Sequence, residues 1–136
     1  MDFRLFSKRL VIAGTGIIWL IKYLLRPNFI FPEPVSFFWG IAPNLLGSFL
    51  LPFGACWLFQ GKHFRRVKWC RVENSTQLRQ FCGSAFFLLL VNEYLQQIRF
   101  FGRTFDYFDI LFSGLGLVLA YSVVNRRLEP QYKAAV

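Results

Sequence analysis

Apolar residues along this chain gather into four blocks separated by polar segments. The blocks cover about residues 10–25, 37–59, 78–97 and 106–124. A helix needs about 20 mostly apolar residues to cross the hydrocarbon core of a bilayer. The first block is shorter, but Phe3 and Phe6 extend it, and the long side chain of Lys22 can reach the interface. The pattern predicts one all-α domain over residues 1–136, with four transmembrane helices in a small bundle.

The segments between the blocks are polar and contain helix breakers. Three prolines fall within residues 26–36, and each removes a backbone donor, so we predict an extended connection there. Residues 60–80 form a polar segment rich in Lys and Arg, and a polar tail follows residue 124. Basic residues before the first block resemble the start of a signal peptide, but no small-residue cleavage site follows, so we expect an uncleaved anchor helix.

Composition supports a membrane location. Hydrophobic residues make up 55% of the chain and charged residues 17%, against about 25% charged in soluble domains. The net charge of +9 would suggest nucleic-acid binding in a soluble protein. Here the basic residues lie between the apolar blocks, where loops face anionic lipid. We therefore expect the lipid bilayer as a partner, and no nucleic acid.

The distribution of basic residues predicts an orientation. Twelve of the 16 Lys and Arg lie in the two terminal segments and the middle loop. Cytoplasmic loops are enriched in these residues, so the chain should be an integral plasma (inner) membrane protein with both termini in the cytoplasm. Residues 26–36 and 98–105 then face outward.

The three cysteines, Cys56, Cys70 and Cys82, fall near the cytoplasmic side in this orientation, where we expect them to be inert thiols. Their spacing is not that of metal ligands, so we expect no metal and no cofactor.

Several polar side chains lie inside or next to the apolar blocks, where they are costly and need a partner or a function. In the predicted orientation they reach one depth in the outer leaflet. Glu93, Asp109 and Arg103 would form a charge-neutralised network there, with Asn44 supplying hydrogen bonds. The candidates for binding a ligand or a partner are Asn44, Glu93, Gln96, Arg103, Asp106, Asp109 and Ser113.

A purely structural interpretation of this cluster stays open. Asp106 and Asp109 begin a helix, where a carboxylate caps free amides. Arg103 would pair with them to close a tight turn. Glu93 has no cap to provide, which favours a functional role. Small residues on the third and fourth blocks would permit close helix packing, namely Gly83, Ser84, Ala85, Gly114, Gly116 and Ala120.

Two sequence patterns resemble a known family. Asn44 begins an apolar run that ends in Pro52-Phe-Gly54. Further along come Glu93-Tyr-Leu-Gln96, then Arg103-Thr-Phe-Asp106-Tyr-Phe-Asp109, then Gly116. In order, spacing and helix placement, about residues 44–121 resemble the VanZ-like proteins, whose founding member is a teicoplanin-resistance protein. The chain departs from the family pattern at Ser113, where the family usually has Asn, and at Ala120, which replaces a common second Gly.

The resemblance implies a small polytopic protein of the cell envelope, and some members of that family lower susceptibility to glycopeptide antibiotics. The leading hypothesis is a protein whose outer-leaflet polar cluster binds a lipid-linked or cell-wall ligand or a partner membrane protein. A second is a small homo-oligomeric transporter with Glu93 as the titrating group. A third is an enzyme acting on lipid phosphates through Arg103, which lacks sequence support because no nucleophile elbow or phosphate-binding loop is present. A fourth is an accessory subunit of a larger membrane complex.

Overall fold

The computed structural model describes residues 2–59, 72–96 and 106–135. Every regular element in these ranges is helical, which confirms the predicted all-α class there. We label the four long helices α1 to α4. They cover Phe3–Asn28, Glu33–Phe59, Ser75–Gln96 and Tyr107–Ala135.

Three of the described helices are long and apolar enough to cross a membrane: α1, α2 and the Tyr107–Leu128 part of α4. Their outward faces are strongly apolar. Trp19 is 63% exposed and Val118 is 62% exposed. Large side chains exposed in this way on successive turns suit lipid rather than water. The fold is therefore that of a membrane protein.

Helix α3 differs from the other three. Its 22 residues would extend about 33 Å, enough for the hydrocarbon core. However, polar residues occupy both of its ends, including Arg79 and Gln80 at one and Asn92 and Glu93 at the other. Within the described residues it is not among the helices apolar enough to span. A fourth crossing thus stays a prediction.

Three predicted helix boundaries are wrong: the end of α1, the start of α2 and the end of α4. The extended connection is confined to residues 29–32, because α1 continues through Asn28 and α2 begins at Glu33. Pro34 lies in the first turn of α2, where the missing donor costs nothing. The predicted polar tail after residue 124 is helical to Ala135. Hydropathy marks where apolar character ends, whereas Arg, Gln and Lys continue a helix readily.

The last turns of α1 are unusual. Residues Leu20–Leu25 form a π-helix, and the helix ends at Asn28, where Phe29 becomes extended. In a π-helix each amide bonds five residues back rather than four, which widens the turn and rotates the side chains that follow. Lys22 lies inside this segment and Arg26 directly after it.

Helix α2 is the centre of the bundle. It packs against α4 and α1, while α3 packs mainly against α4. Helices α2 and α4 come close together at Gly116, where a Cβ atom would collide with the Leu45 carbonyl oxygen and the Ser48 hydroxyl. Close packing by a small residue is therefore confirmed at Gly116. At Gly83 the expectation is wrong, because a Cβ there would meet nothing within 4 Å.

The two ends of the bundle are packed differently. One end, which we call the packed end, joins the start of α1, the end of α2, the start of α3 and the second half of α4. Its buried cluster includes Phe3, Phe53, Cys56, Leu78, Ala120 and Val124. The Arg4 Nε atom also donates to the Trp57 carbonyl oxygen at 3.2 Å. The opposite end, which we call the cavity end, contains most of the predicted polar residues.

Candidate functional site

A cavity of about 540 Å³ lies between the four helices at the cavity end. Each helix contributes polar side chains to its wall. They are Lys22 and Arg26 of α1, Asn44 of α2, Asn92 and Glu93 of α3, and Asp109 and Ser113 of α4. Ligand sites in proteins commonly have volumes of about 300–1,000 Å³. The cavity thus has the size and the polar groups of a small-molecule or head-group site.

Four of the seven predicted candidates line this one cavity: Asn44, Glu93, Asp109 and Ser113. They come from three different helices, as their spacing in the sequence predicts. Arg103 and the side chain of Gln96 lie outside the described residues, so the predicted pairing of Arg103 with the carboxylates remains a prediction. Asp106 is exposed at the start of α4.

Asp106 has a capping role. Its Oδ1 atom accepts a hydrogen bond from the Phe108 amide at 2.9 Å, in the position of a helix N-cap. Its carbonyl oxygen also accepts from the Asp109 amide at 3.2 Å. The structural interpretation of the cluster is therefore correct for Asp106.

Glu93 is the most enclosed charged group of the cavity, with a residue exposure of 7%. Its Oε1 atom accepts a hydrogen bond from the Asp106 amide at 3.3 Å, which ties the end of α3 to the start of α4. The sequence-based argument gave Glu93 no such structural contact, and that part was wrong. Because a carboxylate has two oxygens and about four acceptor positions, this single contact leaves capacity for other donors.

Sequence reasoning missed two cations of the site. Lys22 was assigned to the interface and Arg26 to a loop, yet both line the cavity. The Arg26 guanidinium passes over Gly40, and its Nη2 atom lies 3.3 Å from where a Cβ of that residue would be. A signal was present, because residues four apart on a helix share a face. This spacing is easy to overlook, because both residues continue a helix that is otherwise apolar.

Among the described residues that line the cavity, positive and negative side chains are equal in number. Lys22 and Arg26 supply two positive groups, and Glu93 and Asp109 supply two negative groups. Among these four described side chains, no cation nitrogen comes within 4.0 Å of a carboxylate oxygen. The opposite charges therefore face a common space without closing it by direct ion pairs.

Two buried serines lie at or next to the cavity. The buried Ser48 hydroxyl donates to the carbonyl oxygen of Asn44, 2.9 Å away. Ser113 is 6% exposed and lines the cavity, one turn after Asp109. Within the described residues no three His, Cys, Asp or Glu side chains come together as a metal site requires.

Comparison with protein-family models, with curated proteins and with solved structures finds no match for this chain. The function must therefore be argued from the cavity itself.

Proposed function

We propose that this chain is a VanZ-like membrane protein of the cell envelope whose polar cavity binds a lipid-linked or cell-wall ligand or a partner protein, with an effect on glycopeptide susceptibility. The observation that carries the proposal is the convergence of Asn44, Glu93, Asp109 and Ser113 on one cavity of about 540 Å³. The role is binding rather than catalysis.

The cost of the arrangement supports a binding role. Ionisable side chains at membrane depth are costly and are commonly found where they serve a pathway or a ligand. Here Glu93 is buried and Asp109 is partly buried, and neither forms a direct ion pair with Lys22 or Arg26, which are exposed at the cavity wall. A purely structural cluster gains more from closing those pairs, because unpaired charges in a low dielectric lose solvation without compensation.

The basic residues support an outward-facing cavity. Among the described residues, six basic side chains lie at the packed end, which favours the cytoplasmic side of a plasma membrane: Arg4, Lys8, Arg9, Arg79, Arg126 and Arg127. The cavity end then opens toward the outer leaflet, where cell-wall precursors and glycopeptide antibiotics meet. Lys22 and Arg26 lie near the end of α1, within reach of phosphate groups at that surface.

The test compares cavity carboxylates with a matched acid outside the cavity. Glu93→Gln keeps the acceptor oxygen for the Asp106 amide, and Asp109→Asn keeps the side-chain shape, so each variant removes only the charge. We expect either variant to abolish the teicoplanin-susceptibility phenotype of the expressed protein while the protein remains inserted and folded. Asp106→Asn, which retains a capping oxygen, should behave as wild type. If both cavity variants match wild type, the cluster is structural.

Helix α3 favours a second function, that of an accessory subunit or a protomer of an oligomeric transporter. Its exposed face carries Leu88 at 65% exposure and also the polar residues Ser84 and Asn92. A helix with this mixed face is better covered by protein than by lipid. Intact phenotypes in Glu93→Gln and Asp109→Asn would leave this surface as the leading explanation.

A further inference from the structure

An apolar groove adjoins the polar cavity. The groove has a volume of about 450 Å³ and lies between α3 and α4. Its wall includes Cys82, Gly83, Gly114, Leu117, Val118 and Tyr121. The ring of Phe86 lines both the groove and the polar cavity, so the two spaces meet at this side chain.

Glycines create the groove. A Cβ at Gly83 would meet no atom within 4 Å, so the absent side chain leaves open space between the helices. At Gly114 a Cβ would lie 3.2 Å from the Phe86 Cε2 atom, so this glycine lets the aromatic ring rest against α4. Gly83 thus leaves the groove open. Gly114 lets the Phe86 ring pack against α4, between the groove and the cavity.

The direction and length of the groove suit a lipid chain. It begins at Phe86, next to the cavity, and follows α3 back to Arg79. Seven residues of helix correspond to roughly 10 Å. One leaflet of the hydrocarbon core is about 15 Å thick. Phe86 is at the midpoint of α3, so a chain that enters this groove from a head group at the cavity end would cross one leaflet and continue toward the Arg79 end of the helix.

We propose that the cavity and the groove together bind one zwitterionic phospholipid, whose head group carries a phosphate and a primary ammonium. The inference rests on the proposed function, since it names the ligand class of the same cavity. The phosphate binds Lys22 and Arg26, the ammonium binds Glu93 and Asp109, and one acyl chain occupies the groove beyond Phe86.

Charge complementarity selects this head group. The described charged side chains of the cavity, two cations and two carboxylates, match a ligand with one group of each sign. An anionic lipid such as phosphatidylglycerol offers no positive group to the carboxylates. The quaternary ammonium of phosphatidylcholine has no N–H to donate to them, so it forms no charge-assisted hydrogen bond. Phosphatidylethanolamine satisfies both sides.

The experiment measures lipid retention by native mass spectrometry of the full-length protein in detergent. Dioleoyl phosphatidylethanolamine, phosphatidylcholine and phosphatidylglycerol are added at equal concentrations. We expect the phosphatidylethanolamine complex to dominate by about tenfold, which corresponds to about 1.4 kcal/mol. Equal retention of the three lipids, or preference for phosphatidylglycerol, overturns the head-group assignment.

Two leucine variants test the acyl chain. Gly83→Leu fills the groove from a position with open space, and we expect it to reduce bound phosphatidylethanolamine about tenfold. Gly16→Leu is the matched control, because a Cβ on this exposed α1 glycine also meets nothing within 4 Å. It should bind as wild type, and equal binding by the two variants overturns the groove assignment. Thermal unfolding of each variant verifies that the bundle is intact.

Soluble phosphoethanolamine and the variant Arg26→Gln distinguish binding of the head group from binding of the acyl chain. Soluble phosphoethanolamine should bind more weakly than the lipid and be unaffected by Gly83→Leu, whereas Arg26→Gln should weaken both ligands. Free phosphoethanolamine binding as tightly as the lipid overturns the role of the chain. If Glu93→Gln and Asp109→Asn abolish the susceptibility phenotype but no lipid is retained, the lipid inference is wrong while the proposed function stands.

Discussion

At the scale of single residues, the structure separates two carboxylates that look equivalent in the sequence. Asp106 and Asp109 are three apart at a helix start, and both were candidates for capping and for binding. Asp106 caps α4 from an exposed position, whereas Asp109 is partly buried and lines the cavity. The role of each carboxylate depends on where its side chain lies: that of Asp106 turns back to the amides of the first turn of α4, and that of Asp109 lies at the cavity wall.

Replacing Asp106 should therefore affect stability rather than ligand binding. Asp106→Ala removes the acceptor for the Phe108 amide, and loss of an N-cap costs about 1 kcal/mol. We expect a lower midpoint of thermal unfolding in detergent, with Asp106→Asn close to wild type because Asn also caps helices. Unchanged stability together with lost lipid binding in Asp106→Ala would move this residue into the binding site.

At the scale of helices, the sequence located all four elements but not their ends or their internal geometry. Apolar blocks identify which residues prefer lipid, and that signal ends where the helix leaves the membrane. The helical continuation of α4 and the early start of α2 depend instead on capping and helix propensity. The sequence pattern does not predict the π-helix at Leu20–Leu25, and the spacing of Lys22 and Arg26 by four residues was the available signal for their shared face.

The contact between α2 and α4 gives a prediction at this scale. Gly116→Ala places a methyl group against the Leu45 carbonyl and 3.1 Å from the Phe49 amide nitrogen, where backbone cannot move aside easily. Overpacking of this kind costs about 1–3 kcal/mol. We expect a clear fall in the unfolding midpoint. Gly47→Ala on α2, where a Cβ meets nothing within 4 Å, should be neutral or slightly stabilising.

At the scale of the whole molecule, the packed end and the cavity end divide stability from binding. Phe3, Phe53 and Leu78 are buried at the packed end, where their positions depend on apolar contact alone. At the cavity end the same four helices surround polar space. A bundle anchored firmly at one end can tolerate an open, charged space at the other. The sequence predicted the polar residues of that space because their depth follows from helix geometry, but not the groove beside it, which depends on how α3 packs against α4.

The orientation of this polarised bundle and the status of α3 are tested by one labelling experiment. In a background with Cys56, Cys70 and Cys82 replaced, a single cysteine is placed at Thr104 or at Ser75, and intact cells are treated with a membrane-impermeant thiol reagent. Four crossings with cytoplasmic termini predict that Thr104→Cys is labelled and Ser75→Cys is not.

Each of the other outcomes indicates a different membrane topology. Labelling only at Ser75→Cys means that the cavity end faces the cytoplasm, so the glycopeptide analogy loses its physical basis and a cytoplasmic ligand replaces it. If neither cysteine is labelled until the cells are lysed, α3 does not cross, and three crossings place the far end of α4 outside. In that case Asp109 would lie on the cytoplasmic side while Lys22 and Asn44 lie outside, so these residues could not line one cavity and the arrangement of the four helices would be overturned. The side on which Thr104 is labelled therefore decides between an envelope ligand and a cytoplasmic one.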